Sequence, residues 1–134
     1  MDIAPASFAD IMLVIPEPPS SNRIWRVFRG RMAKSPAYRR WMTSAAASIA
    51  EQLGGDGVPS WFSASITLPP SRRDPDNSVK PILDAIQAGG AISNDRLLRR
   101  LTLAVDDDRE PGTVSISLWP AAEPKAKPRR RKKP

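Results

Sequence analysis

The chain has 134 residues, 26% of them charged, and a formal net charge of +7. It contains no cysteine and no histidine, which excludes disulfides, thiolate zinc sites, cysteine nucleophiles and a histidine general base. Carboxylates, lysines and hydroxyl groups are left to carry any chemistry, so a catalytic metal should be a hard, oxygen-bound ion such as Mg²⁺ or Mn²⁺.

The positive charge is concentrated in two segments. Residues 121–134 hold seven Lys or Arg and one Glu, so this tail supplies +6 of the +7 and leaves +1 for the rest. Residues 22–40 hold seven basic residues and no acid. We therefore expect a folded domain over 1–120, a disordered basic tail over 121–134 and a polyanionic partner. Because no long apolar run or secretion signal is visible, we expect a cytoplasmic protein that has no membrane partner.

In chain order, the first predicted element is a strand over the apolar run IMLVI at 11–15. The basic loop RIWRVFRGRMAK follows, in which arginines interleave with Trp25 and Phe28. Such a mixture is typical of segments where arginines meet phosphates and rings stack on bases. An ordinary hairpin whose two rings pack on the core explains it equally well.

A long helix comes next. Ser35 as N-cap and Pro36 as first helical residue mark its start, and Gly54-Gly55 marks its end. The residues expected on its buried face are Tyr38, Met42, Ala45, Ile49 and Leu53.

The second half of the chain predicts three strands and one helix. WFSASITLP alternates as a half-buried strand, and a helix follows from about residue 77 to Gly89-Gly90, with Pro81 tolerated in its first turn. RLLRRLTLAV and TVSISLW predict two strands paired as a hairpin across the turn DDDREPG. The order β, α, β, α, β, β predicts an α+β domain with a mixed sheet of about four strands and helices packed on one face.

The stretch SRRDPDNSVKPILDAIQAGG, residues 71–90, brings acids and bases together. Asp74 and Asp76 are two positions apart, so on an extended segment they share one face with their Cα atoms about 6.6 Å apart. Two such carboxylates could close on one cation, and without a cation they would repel each other.

The helix after this pair offers further polar groups. Asn77, Lys80 and Asp84 lie at i, i+3 and i+7, on one helical face, and Asp95 is a third acid that the chain could fold back toward the first two. Three carboxylates and a lysine suit phosphodiester hydrolysis, in which a metal activates water and the lysine stabilises the transition state or the leaving oxygen. The alternative is a turn that caps a helix, with a Lys80–Asp84 salt bridge.

RRDPDNSVKPILDAI followed by AISND is similar to the signature of RusA-type crossover-junction endodeoxyribonucleases (Holliday junction resolvases), and PPSSNRIWR resembles that family's Pro-Pro-Ser segment after the first strand. The resemblance implies a RusA-like fold and a bacterial or phage-encoded homodimer. It also implies a metal-dependent, structure-selective nuclease, which uses Mg²⁺, with Mn²⁺ as a substitute, to cut four-way DNA junctions by paired symmetric nicks.

By this resemblance Asp74, Asp76 and Asp95 are the metal-binding carboxylates and Lys80 is the essential catalytic lysine. Asn77 and Asp84 are expected to support the site. The expected DNA-binding residues, from the basic loop and from the arginines before the acids, are Asn22, Arg23, Trp25, Arg26, Arg72 and Arg73.

Two features depart from the family pattern. Asn94 stands where a second acid usually precedes Asp95, and Arg96, Arg99 and Arg100 make the following strand unusually basic. The competing hypotheses are a non-cleaving branched-DNA binding module of the same fold and a small basic structural protein.

Overall fold

Six strands form two sheets in the computed structural model, which describes residues 10–20, 25–28 and 31–126. The four strands of the main sheet are β1 (Ile11–Pro16), β4 (Phe62–Leu68), β5 (Leu98–Val105) and β6 (Thr113–Pro120). They stand in the order β1-β6-β4-β5, and β4 and β5 run parallel while the other pairs are antiparallel. A separate antiparallel hairpin consists of β2 (Trp25–Phe28) and β3 (Arg31–Lys34).

Two helices pack on one face of the main sheet. The helix α1 spans Pro36–Leu53, and the Ser35 side chain caps it by accepting the Tyr38 N–H at 3.2 Å. Gly54 ends it in the left-handed region with φ of 58°, a conformation that glycine adopts without steric cost. The α+β class, the mixed sheet and the helices on one face are thus confirmed.

The second helix, α2 (Val79–Ala88), follows a 3₁₀ turn over Pro75–Ser78, and a second 3₁₀ turn, Asp95–Leu97, leads into β5. Pro81 is buried in the first turn of α2, where its missing N–H costs no helical hydrogen bond.

The core lies between the helices and the inward face of the sheet. On α1 the buried residues are Tyr38, Trp41, Ala45 and Ile49, so the predicted stripe was wrong at Met42 and Leu53, which are only partly buried. Trp41 takes the buried place because its indole Nε1–H donates to the Pro16 carbonyl at 2.9 Å, which satisfies its one polar group. The inward side chains of the sheet are Leu13, Ile15, Phe62, Ala64, Ile66, Leu68, Val114, Ile116 and Leu118.

The predicted hairpin between the last two strands was wrong. β6 inserts between β1 and β4, and β5 lies on the far side of β4. β4 occupies the central place because none of its inward side chains is more than 6% exposed, whereas the inward side chains of β5 are only partly buried. Exposed arginines near the start of β5 are compatible with an edge position and would be costly at the centre.

The outer edge of β1 is covered by side chains from α1. The Gln52 carboxamide accepts the Val14 N–H at 2.9 Å and donates to the Val14 carbonyl at 2.7 Å. Gln52 therefore supplies the same donor and acceptor that a neighbouring strand would supply, and it protects an edge that could otherwise pair with another chain. Across the described ranges, no helix has the length and apolar character needed to cross a membrane.

Replacing Gln52 by Ala should lower the free energy of unfolding by about 1 kcal/mol, because two hydrogen bonds to the Val14 backbone disappear at a solvent-accessible edge. Chemical denaturation followed by circular dichroism would measure it. The adjacent exposed change Glu51→Gln serves as the control and should leave the midpoint unchanged. Equal midpoints for Gln52→Ala and the wild type would contradict this role.

Candidate active site

The predicted carboxylate pair lies on the loop and 3₁₀ turn between β4 and α2. The Asp74 carbonyl accepts the Asn77 N–H at 3.1 Å, and the Asp76 carbonyl accepts the Val79 N–H. Neither side chain caps the turn or the helix, and neither has a hydrogen-bonding or ion-pair partner within the part of the chain that the structure describes. Among the described residues, backbone hydrogen bonds hold the turn, and both carboxylates are exposed.

Lys80 joins the other acids of the predicted site. Its Nζ lies 2.8 Å from Asp84 Oδ1 and 2.5 Å from Asp95 Oδ2. Hydrogen bonds to Asp84 and then to Asp95 raise the pKa of Lys80 well above its usual value. The side chain is therefore an ammonium donor throughout the neutral range and is not available as a general base.

This ion-pair cluster adds little to stability. The Lys80 side chain is 70% exposed, and exposed pairs of this kind contribute at most about 1 kcal/mol because water screens them. The consequence of the cluster is geometric: it holds the Asp95 carboxylate against the polar face of α2.

The position of Asp95 depends on two amides that the sequence did not reveal. The Gln87 side-chain oxygen accepts the Asp95 N–H at 3.0 Å, and Asn94 caps the 3₁₀ turn by accepting the Arg96 N–H at 2.9 Å. Gln87 lies seven residues after Lys80 and therefore on the same helical face. That spacing was the one available signal, but it did not reveal that the partner would be the backbone of Asp95.

The two carboxylate segments adjoin opposite ends of β5. Because β4 and β5 are parallel and Leu68 pairs with Val105, the loop after β4 begins at the C-terminal end of β5. Asp74 accordingly lines one shallow pocket with Val105. Asp95 precedes the opposite, N-terminal end of β5. Within residues 10–20, 25–28 and 31–126, no three acidic side chains form a group that could hold a metal ion, so the assignment of Asp74, Asp76 and Asp95 to one ion stays a prediction.

The two arginines before the acids differ in their surroundings. The Arg73 guanidinium donates to Glu17 Oε2 at 3.0 Å and to the Pro18 carbonyl at 3.1 Å, and the other Glu17 oxygen accepts the Gly112 N–H at 2.7 Å. Arg73 thus ties the acidic loop to the segment after β1. Arg72 is exposed and makes no side-chain hydrogen bond or ion pair among the described residues.

The remaining predicted DNA contacts are not tested at the side-chain level. Asn22 and Arg23 lie outside the described residues. The backbone of Trp25 and Arg26 belongs to β2, as the hairpin interpretation predicted.

Comparison with known proteins agrees with the site motif. The family model described as endodeoxyribonuclease RusA matches residues 16–118. A crossover junction endodeoxyribonuclease RusA from Aquifex aeolicus (strain VF5) is 32% identical over 109 residues, which cover 79% of this chain and 86% of that protein. Because the match includes both predicted carboxylate segments and most of the sheet, this chain belongs to the RusA family of endodeoxyribonucleases.

Proposed function

We propose that this chain resolves four-way DNA junctions as a Mg²⁺-dependent homodimeric endonuclease that makes paired symmetric nicks. The observation that carries the proposal is the pairing of Lys80 with Asp95 on the polar face of α2. Asp74 and Asp76, on the turn before this helix, have no side-chain partner among the described residues. The related Aquifex aeolicus protein is named as a crossover junction nuclease, and this name supports the choice of substrate.

The donor chemistry fits a hard divalent cation. Asp74 and Asp76 offer carboxylate oxygens that no described side chain uses, and Asp95 offers a third carboxylate; oxygen ligands of this type are the ones Mg²⁺ prefers, and Mn²⁺ accepts them too. These three residues would hold the ion if Asp95 and the turn that carries Asp74 and Asp76 came together around it, since they form no such group among the described residues. Asn77 would support the loop that carries the pair. When bound, such an ion supplies positive charge and an activated water for phosphodiester hydrolysis.

Lys80 acts as a fixed positive charge. Asp84 and Asp95 hold its ammonium before any phosphate arrives, and preorganised charge of this kind stabilises a transition state more than a mobile side chain does. Asp84 has a positioning role through Lys80.

DNA binding and dimerisation complete the proposal. Arg72 projects from the acidic loop as an exposed cation, and Asn22, Arg23, Trp25, Arg26 and Arg73 remain expected contacts. A homodimer would place two equivalent sites about a two-fold axis, which suits the symmetric cutting of two strands. The basic tail over 121–134, beyond a nuclease domain over 1–120, would add sequence-independent affinity for phosphates.

A non-cleaving branched-DNA binding module is the second candidate. It is favoured by the lack of a three-carboxylate group among the described residues, because a nuclease would need those acids to share an ion. Measuring the nicking of a four-way junction discriminates between the two functions.

Asp74→Asn should lower the rate of nicking of a synthetic four-way junction in Mg²⁺ by roughly 100-fold or more, because a neutral amide replaces a charged metal ligand. Denaturing gels of end-labelled strands would measure nicking. Glu51→Gln, a similar change on the exposed face of α1, is the control. Tight junction binding with no nicks in the wild type would support the binding module instead.

Lys80→Met should slow nicking by about 100-fold as well, because the preorganised cation is removed and Asp84 and Asp95 are left as neighbouring like charges. Junction affinity measured in EDTA should change only a few-fold. Lys125→Met, which removes an exposed cation outside the site, controls for the change in net charge. A wild-type nicking rate in Lys80→Met would remove Lys80 from the mechanism.

Gln87→Leu should raise the Mg²⁺ concentration needed for half-maximal nicking by about 10-fold to 100-fold, the usual cost of removing a group that orients a metal ligand. Hydrogen exchange of the Asp95 amide, measured by NMR in the metal-free protein, should become faster. Gln87→Glu keeps an acceptor oxygen at this position and should keep the amide protected. Unchanged exchange in Gln87→Leu would contradict the positioning role.

A further inference from the structure

One face of the main sheet, called here the open face, lies opposite the helices and is not covered by either of the two described helices. Along β4 and β6 this face carries small hydroxyl residues, and no described helix packs on it. One end of it is concave, lined by Asp10, Ser63, Ser65, Arg100, Thr102 and Trp119. Nothing in the proposed catalytic role accounts for this surface.

An irregularity in β5 changes the charge of the open face. Phe62 pairs with Leu98 but Ser63 pairs with Arg100, so Arg99 is an extra residue in the parallel ladder. Such bulges redirect side chains at sheet edges and beside active sites. Arg100 shares the open face with its partner Ser63, and Trp119 pairs with Ser63 from the other side.

The extra residue also turns toward the open face. Trp61 precedes the inward-facing Phe62, and its carbonyl still accepts the Ala121 N–H at 2.9 Å, so the strand alternation continues and puts Trp61 on the open side. The Arg99 guanidinium lies 5.8 Å from the centre of the Trp61 ring. The bulge thus gives this face two consecutive arginines.

The Trp61 contact leaves Arg99 able to bind an anion. A guanidinium that lies over an aromatic ring keeps N–H donors for other partners, and these donors match phosphate oxygens. Both arginines are exposed. Among described residues, neither has an ion-pair partner.

The two arginines are near the proposed site. Arg100 follows Asp95 by five positions, and an extended chain of that length spans at most about 17 Å. That is about five base-pair steps of duplex DNA. A strand bound with its cut phosphate near Asp95 would therefore have flanking phosphates within reach of β5.

We propose that Arg99 and Arg100 form a binding site for DNA backbone phosphates on the open face of the sheet, holding the segment that flanks the cut bond. The inference rests on the proposed function, because it takes DNA as the substrate. A second copy of this chain is the other occupant to consider, since Met12 and Val14 are exposed on β1. Charge favours DNA: the lining of the concave region includes Arg100 and one acid, Asp10, and Arg99 precedes Arg100 on the same strand. In a two-fold contact between two copies, these arginines would face the same positive surface.

The test is the salt dependence of junction and duplex binding by Arg99→Gln/Arg100→Gln, measured in EDTA so that no cutting occurs. The slope of log affinity against log salt should become shallower by about 2, one unit for each phosphate that the variant no longer neutralises. Arg99→Lys/Arg100→Lys keeps both charges and should keep most of the slope. Nicking by the wild-type protein in Mg²⁺ is measured in parallel, so that a failure of this inference is distinguishable from a failure of the proposed function.

If the salt-dependence slope of the Gln variant equals that of the wild type, and the wild-type protein nicks the junction, this inference is overturned and the proposed function stands. If the Gln variant differs from the wild type in molar mass by light scattering while its DNA affinity is unchanged, the open face binds a second copy of the chain. That result would also overturn this inference. A wild-type protein that binds no DNA would remove both proposals. Thermal melting of each variant confirms that the domain is folded.

Discussion

The parallel pairing of β4 with β5 is the constraint on which the site depends. Parallel neighbours require a crossover connection, and here the crossover contains the 3₁₀ turn, α2 and the turn before β5. The chain therefore leaves β4 at one end of the sheet and enters β5 at the other. Asp76 precedes the first residue of α2 and Asp95 follows its last residue, and Lys80, from the first turn of α2, bonds Asp95.

The side chains that stabilise the fold are not the side chains of the proposed site. Its core is made of apolar side chains on one face of the sheet and on the facing sides of both helices, and burial of such side chains supplies most of the folding free energy. The polar face of α2 is largely exposed and adds little to that total. Substitutions at Lys80, Asp84 or Gln87 therefore act on the position of charges and leave the fold intact, which makes this face a suitable place for functional groups.

Local patterns in the sequence were sufficient for most of the fold. Ser35, Pro36 and Gly54 delimit α1 through their own backbone preferences, and the alternation in β4 reveals its buried face. Local patterns did not reveal the partner of β5. Strands that follow each other in sequence often pair, so β6 was the expected partner. Only the full burial of β4 places β5 beside β4 instead. Gln87 and the Arg99 bulge were missed for the same reason: each depends on a partner, the Asp95 amide or β4, that is fixed only by the tertiary fold.

The two ends of β5 carry opposite charge. Arg99 and Arg100 lie near its start, and an acidic turn, Asp106 to Asp108, follows its end beside the loop that carries Asp74. A DNA strand drawn to the arginines would meet repulsion from the Asp74 and Asp76 carboxylates unless a cation neutralised them. Cation and DNA would then bind with positive coupling, and thermodynamic reciprocity requires that each raise the affinity for the other by the same factor. Asp74 and Asp76 are exposed and have no side-chain partner within the described ranges, and this state would be the physical source of the coupling. Carboxylates already neutralised by an arginine or a lysine would repel DNA weakly, so an ion would change that repulsion little.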